Sequence, residues 1–163
     1  MVPVKLELDE NLTIRRASEG EIEEIKRMSA RQTILELDEY ELQEKERIEK
    51  DDLKRLDVFL RRPGNEFYVA ATREGAMAGY VWFGVSERPF SGIKVGWIYD
   101  IEVVPEHRGR GIGEALMRHA LKVSKERGFS QTGLMVNQKN EVAWSLYEKL
   151  GFQTEYRIMS RRD

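Results

Sequence analysis

The chain has 163 residues, with 27 Lys and Arg against 29 Asp and Glu for a formal net charge of -2. One domain spanning 1–163 is expected, burying about 70% of its unfolded surface. The balanced charge argues against a nucleic-acid or membrane-surface binder. No cysteine is present, which excludes disulfides, thiolate metal sites and a cysteine nucleophile, and His107 and His119 alone make no histidine-rich metal centre, so no metal is expected.

In chain order, MVPVKLELDENL lacks a basic segment followed by an apolar core, so no signal peptide is read. No apolar run reaches the length of a membrane span, and a soluble, cytoplasmic protein is expected. LTIRRA (Leu12–Ala17) reads as a strand, and Ser18 as the N-cap of a helix with Ile22, Ile25 and Met28 at helical spacing. A second helical stretch runs from Asp38 to Leu60, placing Leu42, Ile48, Leu53, Leu56 and Leu60 among charges and stopping at Pro63-Gly64. EFYVAATREGAMAGYVWFGV predicts two strands joined by a turn at Arg73–Gly75, and Gly96 to Val104 a further strand. GIGEALMRHALKVSKERGF predicts a helix with Ile112, Leu116, Ala120 and Val123 on one face and Gly128 at its end. TGLMV is a short strand. Asn140 caps a last helix with Val142, Ala143, Leu146, Tyr147 and Leu150 inward, Gly151 stops it, and FQTEYRIMS adds one or two strands. Such interleaving implies an α/β protein, a mixed sheet with helices on both faces.

The stretch EHRGRGIGEAL raises a local question. Glycine costs roughly 1 kcal/mol against alanine inside a helix, yet Gly109, Gly111 and Gly113 stand where a strand gives way, through a short loop, to a helix. A helix start presents unpaired N–H groups and about half a positive charge. Glycines there let a phosphate sit against the backbone, with Arg108 and Arg110 adding charge. The alternative is a tight loop whose glycines serve only helix–strand packing. Neither the G-x-G-x-x-G dinucleotide pattern nor a P-loop is present, because Glu114 stands where the third glycine is needed and no G-K-[ST] run occurs.

What fits is R-x-x-G-x-G, from Arg108 to Gly113. It resembles the acetyl-CoA pyrophosphate loop of the GNAT superfamily of N-acetyltransferases. IYDIEVVPEHRGRGIGEALM is similar to that family's central strand and loop, and NEVAWSLYEKLGF to its N-x-x-A-x-x-x-Y-x-K-x-G-F segment. These motifs occupy Trp97 to Phe152. The resemblance implies a GNAT-type fold with six or seven strands and two central parallel strands that splay apart after Val103. It implies acetyl-CoA as cosubstrate, its pyrophosphate on backbone N–H groups of Gly109, Arg110, Gly111, Ile112 and Gly113 beside Arg108. It also implies pantetheine amides paired with the edge of Ile101 and Val103, and the cofactor arm near Asn140. A plain N-cap role for Asn140 is equally open.

Tyr147 lies on the apolar helix face, where a core tyrosine is one reading; the resemblance implies a general acid for the departing thiolate. For the base, strict alternation puts Asp100 and Glu102 on one strand face and Tyr99, Ile101 and Val103 on the other. Carboxylates on a central strand are costly unless paired or bordering a wet cleft. Either could take the amine proton, directly or through a water, or could instead pair with Arg15 or Arg16. A bulge would break the alternation. Many relatives carry a glutamate earlier in this strand, where this chain has Trp97 and Tyr99. His119 is expected at the surface, and His107 beside the phosphate or in solvent.

Between Glu36 and Asp57 ten Asp or Glu face five Lys or Arg. In the resembled family this region borders the acceptor cleft, where an acidic rim would draw a cationic amine, small molecule or peptide; a solvated helix laced with ion pairs is the alternative. The expectation is an acetyl-CoA:amine N-acetyltransferase, with a homodimer admitted as its assembly. A non-catalytic acyl-CoA-binding or sensor module of the same fold is the competing reading.

Overall fold

The structure, a computed structural model, describes residues 12–37, 41–60 and 62–161. Five strands form one sheet in the order β1 (Leu12–Arg16), β2 (Glu66–Thr72), β3 (Met77–Glu87), β4 (Lys94–Val103), β5 (Thr132–Leu134). The first three junctions are antiparallel and β4–β5 is parallel. Helices α1 (Glu19–Leu35) and α2 (Lys45–Leu60) cover one face, and α3 (Ile112–Glu126) and α4 (Glu141–Lys149) serve the other.

Local chemistry accounts for these boundaries. Ser18 and Glu21 form a reciprocal capping box: Ser18 Oγ accepts from the Glu21 N–H at 3.3 Å, and the Glu21 carboxylate accepts from the Ser18 N–H at 2.8 Å. In α3 all four expected inward residues are buried, Ile112 and Leu116 among them, against Phe83, Ile98 and Ala78. The opposite core joins Ile25 and Leu56 to Phe67, Val69, Tyr80 and Trp82.

Several expectations are corrected. The second helical stretch begins as a 3₁₀ turn at Glu41–Glu44 before α2, its expected start at 38–40 lying outside the described residues. Val142 faces solvent at 85% exposure rather than the core. The sheet has five strands among the described residues instead of six or seven, because 152–161 joins no ladder. Ile158 and Met159 are adjacent in sequence, so no single strand face could bury both, and both are exposed. Side chains hold the segment instead: Glu155 accepts from Arg88 at 3.2 Å and Gln131 at 2.8 Å, and Tyr156 lies beside Phe90.

One irregularity positions the site. Trp82 pairs with Asp100 but Phe83 pairs with Ile98, leaving Tyr99 as an extra residue in β4. At this bulge the alternation fails. Tyr99 packs with Trp82 and Phe59 on the α1/α2 face, the face on which Asp100 meets Tyr80, while Ile98, Ile101 and Val103 pack toward α3. The expectation that Tyr99 sits opposite Asp100 is therefore corrected. Gly84 makes room for the displaced ring: a Cβ there would come within 2.7 Å of Tyr99 Cε2 and clash with Asn65 Oδ1. Gly84→Ala should lower stability by about 1–3 kcal/mol, the usual scale of overpacking. A reduced urea midpoint with an unchanged slope is the expected reading.

Candidate active site

β4 and β5 pair only at Gly96–Thr132, Trp97–Gly133 and Ile98–Leu134, so they part after Ile98 rather than after Val103 as expected, because the bulge at Tyr99 bends β4 there. Beyond Ile98, β4 continues to Val103 with β3 on one edge and, among the described residues, no strand on the other. A pocket of about 580 Å³ opens there, between Tyr99–Val103, the end of β5, α1, and the starts of α3 and α4.

The glycine loop forms one end. Gly109 and Gly111 have φ of +74° and +75°, and a Cβ on either would meet open space. That left-handed backbone favours glycine. Gly111 caps α3 without any side-chain cap. The first helical bond is Ala115 N–H to the Gly111 carbonyl at 3.0 Å, so the N–H groups of Ile112, Gly113 and Glu114 have no carbonyl one turn back. These features fit an anionic pyrophosphate at the positive helix end. Gly109, Gly111, Ile112, Gly113, Arg108, Ile101, Val103 and Asn140 all line the pocket. Arg108 Nε donates to the Val103 carbonyl at 3.0 Å, tying the loop to the strand end. Arg110 lies outside the lining, 3.1 Å from His107 Nδ1. Glu114 is buried and engaged by Arg118 at 2.9 Å and Lys149 at 2.5 Å, which fastens α4 to α3. Asn140 Oδ1 accepts from the Ala143 N–H at 3.1 Å, capping α4 while it lines the pocket.

At the other end stand Asp100, Glu102 and Tyr147. Neither carboxylate pairs with the arginines considered above, since Arg15 binds Glu21 at 2.8 Å and Arg16 binds Glu66 at 2.9 Å. Asp100 accepts from the Tyr80 hydroxyl at 2.7 Å and is also hydrogen-bonded to Ser29. Burial raises its proton affinity, partly offset by those bonds. Glu102 is half-buried and its Oε2 has no hydrogen-bond partner among the described residues. Burial and then the Asp100 charge raise its pKa, with Arg108 and Arg31 opposing. Tyr147 is pushed up to about 12, first by burial and then by Asp100 and Glu36. Among the described residues no cluster of three His, Asp or Glu could hold a metal ion, and no helix is long and apolar enough to cross a membrane.

Sequence reasoning missed one wall. Ser29, Gln32, Thr33 and Glu36 line the pocket from α1 and its C-cap. Their i, i+3, i+4, i+7 spacing is a polar stripe that the sequence does display. Tyr80 was also missed; a tyrosine inside an apolar strand needs a hydroxyl partner, which is a weaker signal. The acidic stretch divides, since among its described residues only Glu36 lines this pocket, while Arg47 on α2 pairs with Glu44 and Asp51. His119 is half-buried rather than at the surface, edge-on to Tyr68 with ring centres 4.4 Å apart and Nε2 without a hydrogen-bond partner among the described residues.

The chain matches the model of the Acetyltransferase (GNAT) family over residues 28–152. Mycothiol acetyltransferase of Saccharomonospora viridis is 36% identical over 91 residues, 54% of this chain and 30% of that protein, so the chain spans less than a third of that relative. Thialysine N-epsilon-acetyltransferase of Bos taurus is 33% identical over 148 residues, 86% of this chain and 83% of that one. A solved Pyrococcus furiosus structure, a proposed acetyl transferase, superposes with a TM-score of 0.77 at 31% identity, covering 93% of this chain and 99% of that one.

The buried carboxylates have a stability consequence. A carboxyl whose folded pKa is raised binds its proton more tightly folded than unfolded. Its favourable contribution is present at low pH and lost as pH rises from the unfolded value through the folded one. Asp100 and Glu102 are both raised, so they oppose folding at neutral pH. Asp100→Asn keeps an oxygen for Tyr80 and removes the charge. Its melting temperature should exceed that of the parent more at pH 7.5 than at pH 4, measured by scanning calorimetry at both.

Proposed function

This chain belongs to the GNAT acetyltransferase family, and from that premise we propose that it transfers an acetyl group from acetyl-CoA directly to a primary amine, with Glu102 as base and Tyr147 as hydrogen-bond donor to the departing sulfur. The observation that carries this reading is the convergence on one pocket of the uncapped α3 N-terminus, the unpaired edge of β4, and both titratable groups. Acetyl-CoA supplies the acetyl thioester and a thiolate leaving group. Backbone N–H groups of Gly111 to Glu114 hold its pyrophosphate, with Gly109 leaving the approach open. The free edge at Ile101 and Val103 offers N–H and carbonyl groups to an amide-bearing arm, as another strand would.

The acceptor must shed a proton before its nitrogen has a lone pair. A primary amine with a pKa near 10 is under about 1% neutral at pH 7, a penalty of roughly 4 kcal/mol without help. Glu102 has an oxygen free to accept that proton, and its raised pKa makes it a stronger base than an ordinary carboxylate. Asp100 is already hydrogen-bonded by Tyr80 and Ser29. It acts on Glu102 through its charge. The intact pair Glu102 and Tyr147 favours an enzyme over an acyl-CoA sensor.

The test is free-thiol release from acetyl-CoA across a panel of amines. Acetyl-CoA binding in calorimetry with no thiol released by any amine would establish the sensor instead. Within an active system, Tyr147→Phe should retain acetyl-CoA affinity while kcat falls by about one to three orders of magnitude, the scale of losing a positioned donor. Undiminished turnover would leave Tyr147 as a core residue. Glu102→Gln should lower kcat/KM more than Asp100→Asn does, with partial recovery at alkaline pH as solvent takes over deprotonation. Superimposable pH–rate profiles for parent and both variants would remove both carboxylates from the mechanism.

A further inference from the structure

Two helix ends of opposite polarity meet at the pocket. α3 begins there, and α1 finishes there, with Thr33 in its last turn and Glu36 at its C-cap both in the lining. A helix carries about half a positive charge at its N-terminus and half a negative charge at its C-terminus. No Lys or Arg occupies the last turn of α1 to offset the negative end. Glu36 adds a full charge at the same place. Its influence reaches the reacting end, because it raises the proton affinity of both Asp100 and Tyr147. Among the described residues its side chain has one partner, the neutral amide of Gln32, with Nε2 3.2 Å from Oε1. The cations Arg31 and Arg108 lower the proton affinity of Glu102, and among the described residues neither forms an ion pair with Glu36.

We propose that the acceptor is a dication, a primary amine whose molecule carries a second ammonium group, and that Glu36 together with the negative end of α1 holds that second charge while the first nitrogen faces Glu102. The proposal rests on the acetyl-transfer reading above and names its substrate class. A monocation loses its charge on handing the proton to Glu102, and with it the attraction that held it in an acidic site. A second ammonium stays charged throughout and keeps the molecule anchored. It also lowers the pKa of the first amine by like-charge repulsion, which eases deprotonation. The proton balance is unchanged: one proton passes from the reacting ammonium to Glu102, and the anchoring ammonium keeps all of its own.

The experiment uses the full chain and compares n-alkyl monoamines with α,ω-diamines of matching length by thiol release from acetyl-CoA. At one length or more, kcat/KM for the diamine should exceed that for its monoamine at least tenfold, beyond the factor of two from its equivalent ends. The preference should shrink between about 0.1 M and 1 M salt, as the screening length falls from about 10 Å to about 3 Å. Glu36 is exposed, so Glu36→Gln should fold, checked by circular dichroism. It should raise KM for the diamine and narrow the ratio below threefold, with Glu36→Asp in between. Equal rates for diamines and monoamines in the parent, or an undiminished ratio in Glu36→Gln, would overturn the proposal. Silence with every amine tested would overturn the acetyl-transfer reading and this inference together, and is distinct from activity without preference.

Discussion

The parting of β4 from β5 after three residue pairs is the constraint on which the site depends. Parallel strands normally continue side by side and close their hydrogen bonds on each other. Here β5 ends at Leu134, and β4 takes up its extra residue, Tyr99, immediately after the last pair. A bulge bends its strand and increases local twist, so the two strands diverge where the pocket begins. Unpaired backbone inside a protein is costly unless something bonds to it. Along the open edge of β4, water or a ligand with amide groups must do so. The chain leaves each strand of the diverging pair for a helix, and both helix starts face the gap.

The same bulge reconciles two demands on β4. A strand in the middle of a sheet covered on both faces should be apolar throughout. With Tyr99 absorbing the extra residue, Ile98, Ile101 and Val103 stay in the α3 core, while Asp100 and Glu102 reach the α1 side near the pocket. The core there is preserved and the cost falls on two carboxylates alone. Tyr80 and Ser29 reduce that cost for Asp100 by supplying hydrogen bonds. Among the described residues Glu102 has no such relief for one oxygen, a local instability that fits the proposed role of a group free to react.

How much of this was legible follows from the range of each interaction. The glycine turn, the caps at Ser18 and Asn140 and the inward face of α3 depend on residues within about one helical turn, so the sequence displays them directly. Element order followed from periodicity, and the position of Tyr147 from spacing within its own helix. The contacts that were not legible cross between elements. Tyr80 meets Asp100 only because β3 and β4 are in a particular register, and a one-residue bulge shifts that register without leaving a compositional mark. Strand alternation misplaced Tyr99 for this reason. Helix periodicity misplaced Val142, which lies in the first turn of α4, where the pocket mouth rather than the core is the neighbour. The segment 152–161 has strand-like composition, but beyond the Phe152 N–H bond to the Tyr147 carbonyl it is held by side chains and gains no ladder.

The raised pKa of Tyr147 decides what kind of help it gives in the proposed reaction. At about 12 it keeps its hydrogen at any physiological pH, as a donor must. An ordinary thiol has a pKa near 8.5, so complete transfer of that hydrogen to a thiolate would be uphill by about 3.5 units, roughly 5 kcal/mol. The greater part of the benefit then lies in a hydrogen bond aimed at charge developing on sulfur, in a pocket where such bonds are strong. The proton that finally neutralises the thiolate is more readily drawn from solvent, or from the nitrogen's own ammonium by way of Glu102. Burial, which raises the pKa of Tyr147 and that of Glu102 alike, thus has opposite effects on their roles. It makes the carboxylate a better base and the phenol a poorer acid, while leaving the phenol a fixed donor.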